Sequence, residues 1–311
     1  MIDTVPQPVL WALGGVYALL IFSSLLVRVL QKRTGKDYRE LSDRIRSWWV
    51  MVTIFTLAIV VNSTLSIIFL GMVSFLALKE FLSMISTRRA DRRVVLWAFL
   101  AIPIQFYFVA ISWYGMFIIF IPVYMFLLMP ARMIMTGQTE GFLKAAGVLH
   151  WGLMTTVFSI SHAAYLLALP VEQNPQAGGA GLLFYLVFLT QFNDVAQFTW
   201  GKLLGLHPVV PKVSPKKTRE GLLGGVLTTT LMAWLIAPYL TPLSYEWALG
   251  AGLLIGIGGF IGDVVISAIK RDIGIKDSGN MIPGHGGIMD RIDSLTFTAP
   301  LFFHYIYYLH Y

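Results

Sequence analysis

The chain has 311 residues, 57% of them apolar and 13% charged, with no cysteine and a net charge of +7. Soluble domains run at roughly 45–50% apolar and 25% charged. This composition, with a mean hydropathy of +0.72, excludes a soluble globular protein, a disordered chain, a disulfide framework and a cysteine-ligated metal site. Long unbroken apolar runs also exclude the short alternating segments of a β-barrel. The fold class is therefore all-α, a polytopic helical membrane protein.

A spanning helix needs about 20 apolar residues. Ten candidates follow one another along the chain: 9–30, 48–63, 65–84, 95–111, 114–129, 145–169, 180–203, 222–242, 246–266 and 294–311. The second and third are separated only by Asn62-Ser63-Thr64, which formally matches a glycosylation acceptor but lies too close to the bilayer to carry weight. The fourth and fifth are split at Ser112, beside the interfacial residues Trp113 and Tyr114. The N-terminus lacks the basic start of a signal peptide, so the first span is expected to be retained. The last span ends in an aromatic belt, Phe302-Phe303-His304-Tyr305-Ile306-Tyr307-Tyr308. Residues 1–170 read as an N-terminal set of spans, and 171–311 as a catalytic membrane region with loops 205–219 and 267–293.

All 23 Lys and Arg fall into five clusters, at 28–46, 79–93, 132–144, 202–219 and 270–291. With ten spans these clusters share one side, and the connections at 62–64, 111–114, 170–179 and 242–246 carry none. The positive-inside rule puts the five clusters in the cytoplasm and both termini outside; Arg88, Arg89, Arg92 and Arg93 read as a topology anchor. The positive charge is thus a topology signal and a contact for anionic lipid headgroups. Nucleic-acid binding is not expected, because no soluble domain presents the charge.

Two segments break the apolar monotony. Asn193–Gly225 contains Asn193-Asp194, Lys202 and Pro211-Lys212-Val213-Ser214-Pro215-Lys216-Lys217-Thr218-Arg219-Glu220-Gly221. Asp263–Asp293 contains Ser267, Lys270-Arg271, Lys276-Asp277, His285-Gly286-Gly287 and Asp290-Arg291-Ile292-Asp293. Carboxylates mixed with Lys and Arg at a membrane surface suggest metal-dependent phosphate chemistry, since oxygen ligands suit Mg²⁺ and cationic side chains balance phosphate charge. Glycines let the backbone approach a phosphate. Asp194 and Asp263 sit within spans, where a carboxylate is costly and is a functional hypothesis by default. The alternative for both is a structural ion pair with a nearby lysine.

The run Ser267-x-Ile269-Lys270-Arg271-x₄-Lys276-Asp277-x-Gly279-x₂-Ile282-Pro283-x-His285-Gly286-Gly287-Ile288-x-Asp290-Arg291-Ile292-Asp293 resembles the signature of the phosphatidate cytidylyltransferase (CDP-diacylglycerol synthase) family. Ser214-Pro215-Lys216-Lys217-Thr218-x-Glu220-Gly221 is similar to the same family. The resemblance implies that CTP and phosphatidate condense to CDP-diacylglycerol and pyrophosphate at the cytoplasmic face of a bacterial inner membrane. It implies a divalent cation, Mg²⁺ or Mn²⁺, at the paired Asp263 and Asp290, with a monovalent cation such as K⁺ beside it. Asp277 and Asp293 would be further ligands or would orient basic residues. Lys270, Arg271, Lys276 and Arg291 would hold phosphates, and Lys216 and Lys217 would reach the triphosphate. Asp194, Ser214, Ser267, Gly286 and Gly287 would line the substrates. His285 fits a phosphate donor and a loop hydrogen bond equally. His150, His162, His207, His304 and His310 read as structural or interfacial.

Two positions depart from the family pattern. Gln197 stands where a Tyr is usual near Asp194, and Arg219 where a Trp is usual after Lys216-Lys217-Thr218. A relative that uses another lipid phosphate is therefore an alternative. The helix stripe Gly252-x₃-Gly256 and Gly258-x₃-Gly262 serves either internal packing, the favoured reading, or a homodimer seam, which the family's dimeric habit implies. A transporter would place polar groups near the bilayer midplane and often repeat its halves; here the ionisable residues gather at one face and no repeat is visible. The regularly spaced aspartates of CDP-alcohol phosphotransferases are absent.

Overall fold

The computed structural model describes residues 5–34, 38–85, 91–279 and 286–311. Lys36, Arg88, Arg89 and His285 lie outside the described residues. Among the described residues the chain is helical apart from one two-stranded antiparallel hairpin.

Four long helices open the chain: α1 (Gln7–Thr34), α2 (Arg39–Val61), α3 (Ser63–Met84) and α4 (Arg92–Ala110). Asn62 separates α2 from α3 with an extended backbone, and its side chain accepts the Leu65 N–H at 2.6 Å, capping α3. Ser112 turns the chain after α4 in a left-handed conformation, φ 55°. Next, α5 (Tyr114–Ile119) and α6 (Phe126–Ile134) are joined by a π-helical stretch, Phe120–Met125, into one span. In the same way α7 (Phe142–Gly152) and α8 (Ser159–Tyr165) are joined by the π-helical Leu153–Phe158. The C-terminal half follows: α9 (Gly178–Leu204), β1 (Pro208–Val210), β2 (Ser214–Thr218), α10 (Arg219–Leu240), α11 (Tyr245–Asp272), α12 (Met289–Ile292) and α13 (Leu295–His310).

Nine helical segments among the described residues are long and apolar enough to cross a membrane. The expected tenth, 294–311, is not among these nine. It forms α13, 16 residues long, entered through Asp293 and Ser294, which also keep helical backbone angles. α13 is nonetheless central: Phe302, Phe303 and Ile306 are fully buried, and Tyr307 stacks on Tyr114 with centroids 4.5 Å apart.

The bundle tightens toward α9, where 56% of the apolar window is buried against 17% for α1. Small residues explain the contacts around α11. A Cβ at Gly252 would lie 2.6 Å from the Thr230 Cα of α10, and one at Gly262 would lie 2.6 Å from the Asp293 carbonyl oxygen. The glycine stripe therefore serves internal packing on two sides, against α10 and against the start of α13. This close approach delivers the C-terminal end of α11, with Asp263, to its neighbours on α9, α10 and α13.

Candidate active site

The hairpin folds back over the end of α11. Arg271 donates its Nε to the Val213 carbonyl at 3.2 Å, and the Arg219 N–H bonds the His207 carbonyl at 2.8 Å. The Glu220 carboxylate gathers the Leu206 and His207 N–H groups and the His207 ring. Thr218 caps α10 by accepting the Gly221 N–H at 3.1 Å. These bonds fix β2 and aim Lys217 inward. Its Nζ lies 2.5 Å from Asp263 Oδ2 and 5.0 Å from the Phe260 ring centroid. The other Asp263 oxygen accepts the Ser267 hydroxyl at 3.2 Å.

A cavity of about 240 Å³ opens here. Its lining is mixed, with the polar Asp194, Asp263, Ser214, Lys216 and Lys217 and the apolar Phe198, Leu222 and Phe260. The polar groups suit phosphate and the apolar ones suit lipid or a base. Gln197 also lines it, with its Nε2 3.5 Å from the Gly256 carbonyl.

Below the cavity the carboxylates crowd. Asp194 accepts the Ser294 hydroxyl at 2.9 Å, and Asp293 accepts the Ser294 N–H at 2.8 Å. Burial, then the charges of Asp263 and Asp194, push the Asp293 carboxyl well above the usual range. Asn193, fully buried beside Asp194, ties the helices by donating to the Gly256 carbonyl and accepting the Thr229 hydroxyl, both at 3.2 Å.

Asp290 is held by its own set of donors. Its Oδ1 receives Lys270 Nζ at 2.7 Å, and its Oδ2 accepts the Ser278 N–H at 3.0 Å and the Gly287 N–H at 3.1 Å. Burial alone would raise its pKa, but the Lys270 hydrogen bond and charge, with the two N–H groups, hold it below the usual carboxylate range. Glu80 of α3 faces the same loop. It accepts the Ser278 hydroxyl and the Ile288 and Met289 N–H groups, the last two at 2.9 and 3.0 Å.

The expected residues thus divide. Asp194, Ser214, Lys216, Lys217 and Asp263 share the cavity, with Ser267 and Asp293 adjoining through Asp263. Asp290 and Lys270 pair with each other, and Gly286 and Gly287 belong to the loop that Asp290 holds. Gly286 takes φ 77°. Arg271 braces the hairpin. Lys276 and Asp277 are exposed. Arg219 is exposed and off the cavity wall. Arg291 has a buried Nε without a hydrogen-bond partner among the described residues. Sequence reasoning missed Ser294, whose signal was its place beside Asp293, and Glu80, whose signal was a lone carboxylate inside an apolar span.

Among the described residues no three His, Cys, Asp or Glu side chains converge as a ready-made metal site. The chemistry of the donors nevertheless fits a hard cation. Asp194, Asp263 and Asp293 offer only oxygen, the charges of Asp263 and Asp194 act on Asp293, and Asp263 already holds one cation, the Lys217 ammonium. Asp290, expected beside Asp263, has both oxygens engaged by Lys270 and the loop.

The polytopic helix bundle gathers carboxylates and lysines around a half-apolar cavity, a residue set suited to phosphate chemistry. The chain belongs to the cytidylyltransferase family, whose model matches residues 42–309. It is thereby a member of a nucleotidyltransferase family of the membrane. It is 47% identical to a protein of Escherichia coli (strain K12) named uncharacterized protein YnbB, over 96% of this chain and 98% of that one. It is 32% identical to the phosphatidate cytidylyltransferase of Staphylococcus aureus (strain COL), over 49% of this chain and 59% of that enzyme. The corresponding Staphylococcus epidermidis (strain ATCC 12228 / FDA PCI 1200) enzyme is 31% identical over the same shares. The match thus spans about three fifths of the staphylococcal enzymes' length.

Proposed function

We propose that this protein transfers the cytidylyl group of CTP to a lipid phosphate, with phosphatidate as acceptor, giving CDP-diacylglycerol and pyrophosphate. The observation that carries the reading is the Lys217–Asp263 pair at a cavity lined by both charged and apolar side chains. An oxygen of the phosphatidate phosphate attacks the α-phosphorus of CTP, forming a new P–O bond. The bond from the α-phosphorus to the bridging oxygen breaks, and pyrophosphate leaves with the electron pair. The acceptor oxygen is already nucleophilic, so the site needs positioning and charge neutralisation more than a strong base.

Lys216 and Lys217 reach the triphosphate from β2, and Arg291, with a nitrogen unpartnered among the described residues, is available to a phosphate oxygen. Phe198 and Leu222 give the cavity apolar lining for the acyl part of the acceptor. Asp263, with Asp194 and Asp293, would hold a divalent cation such as Mg²⁺ or Mn²⁺. When bound, that ion supplies charge neutralisation for the anionic reactants. Lys217 would then turn from Asp263 toward phosphate.

Gln197 on the cavity wall favours a second reading of the acceptor, a related lipid phosphate in place of phosphatidate. The test is purified protein in detergent with Mg²⁺, labelled CTP and a panel of lipid phosphates. A CDP-lipid formed best from phosphatidate supports the first reading, and a different preferred acceptor supports the second. Absence of CDP-lipid with every acceptor would sink both.

A further inference from the structure

Glu80 comes from the N-terminal half, yet its carboxylate is buried against the catalytic loop, at 7% exposure. It bonds both ends of the segment between α11 and α12: Ser278 on one side, Ile288 and Met289 on the other. Asp290 clamps the same two ends through the Ser278 and Gly287 N–H groups. Two carboxylates from distant parts of the chain therefore pinch one loop. Gly287 completes the joint, since a Cβ there would collide with the Glu80 carboxylate. Asp290, Arg291 and Asp293 follow within five residues of the bonded Ile288 N–H, so their positions are set by where Glu80 holds that N–H.

We propose that Glu80 is a positioning residue for the transfer reaction. It acts through the Ile288 and Met289 amides to hold Asp293 against Asp194 and Asp263, and Asp290 against Lys270. This rests on the reading of those carboxylates as the cation-binding part of a cytidylyltransferase site. Removing a group that orients ligands at one remove from the metal lowers metal affinity or activity by about 10–100-fold. A merely structural tie would lower thermal stability and leave the cation requirement of the folded protein alone.

Full-length Glu80→Gln and Glu80→Asp are compared with wild type in detergent by two readouts. The first is hydrogen exchange of the 287–292 segment, which needs no activity. The second is the CDP-lipid rate against Mg²⁺ concentration, per folded molecule. Glu80→Gln replaces an acceptor oxygen with an NH₂ facing other donors. It should speed exchange at 287–292, lower the rate about 10–100-fold and raise the Mg²⁺ needed for half-maximal rate. Glu80→Asp should restore part of each. If Glu80→Gln does not fold, Ser278→Ala, which removes one donor, carries the same readouts with a smaller change. Wild-type exchange and Mg²⁺ dependence in a folded variant overturns the proposal, as does a lowered thermal midpoint with nothing else altered. If wild type makes no CDP-lipid, the functional reading fails by itself, and the exchange data alone decide the Glu80 tie.

Discussion

Lys217 and Lys270 each hold one carboxylate, and the difference between the two pairs separates their tasks. Lys217 and Asp263 are 17% and 26% exposed and line a cavity, so their partners can be exchanged for a ligand. Lys270 and Asp290 are 10% and 8% exposed and are locked by further loop hydrogen bonds. Opening a buried pair strands a charge and costs several kcal/mol. The same distinction of place applies to the two departures from the family pattern. Gln197 lines the cavity, whereas Arg219 is exposed and bonds the hairpin through its backbone. Arg219→Trp is therefore expected to leave the ranking of lipid acceptors unchanged, and Gln197→Leu to alter it. Competition assays with paired lipid phosphates measure this. A ranking shifted by Arg219→Trp and untouched by Gln197→Leu would reverse the assignment.

At the scale of elements, the glycine stripe of α11 and the capped start of α10 bring the site together. Gly252→Leu would drive a side chain into α10 at Thr230, and overpacking of this kind typically costs about 1–3 kcal/mol. A Cβ at Gly14 on α1 meets nothing within 4 Å, so Gly14→Leu serves as the control. Thermal unfolding in detergent should show a lower midpoint for Gly252→Leu alone; equal midpoints would mean that α10 and α11 do not need this approach. Much of this architecture was legible beforehand. The long apolar runs located the spans, Asp194 and Asp263 came to notice because charges in spans are costly, and Lys217 did so through the family resemblance of residues 214–221. The hairpin was not legible, since Pro208–Val210 and Ser214–Thr218 carry no alternating pattern. α13 (Leu295–His310) falls within one residue at each end of the apolar run 294–311. Glu80 was missed because hydropathy averages one carboxylate into its apolar neighbours.

Across the whole molecule, Glu80 near the end of α3 touches the loop before α12, which shows that the second and fifth basic clusters lie at one end of the bundle. The basic clusters are expected to face the cytoplasm. The natural chain has no cysteine, so Lys212→Cys on the exposed hairpin turn gives a single reporter. An impermeant maleimide should label it in inverted vesicles and not in intact cells or spheroplasts; labelling from outside would reverse the orientation.

The central claim is that a lipid phosphate attacks the α-phosphorus of CTP at the Asp263 site. Purified protein with phosphatidate and Mg²⁺ is given CTP labelled at the α-phosphorus in one reaction and at the γ-phosphorus in another. The account predicts that α-label enters the lipid fraction and γ-label leaves as pyrophosphate. It further predicts that Asp263→Ala, folded to the same thermal midpoint, loses ~10²-fold or more of both, as expected when metal stabilisation of a phosphoryl centre is removed. Label from the γ-position in the lipid, or near-normal turnover by Asp263→Ala at saturating Mg²⁺, would contradict it.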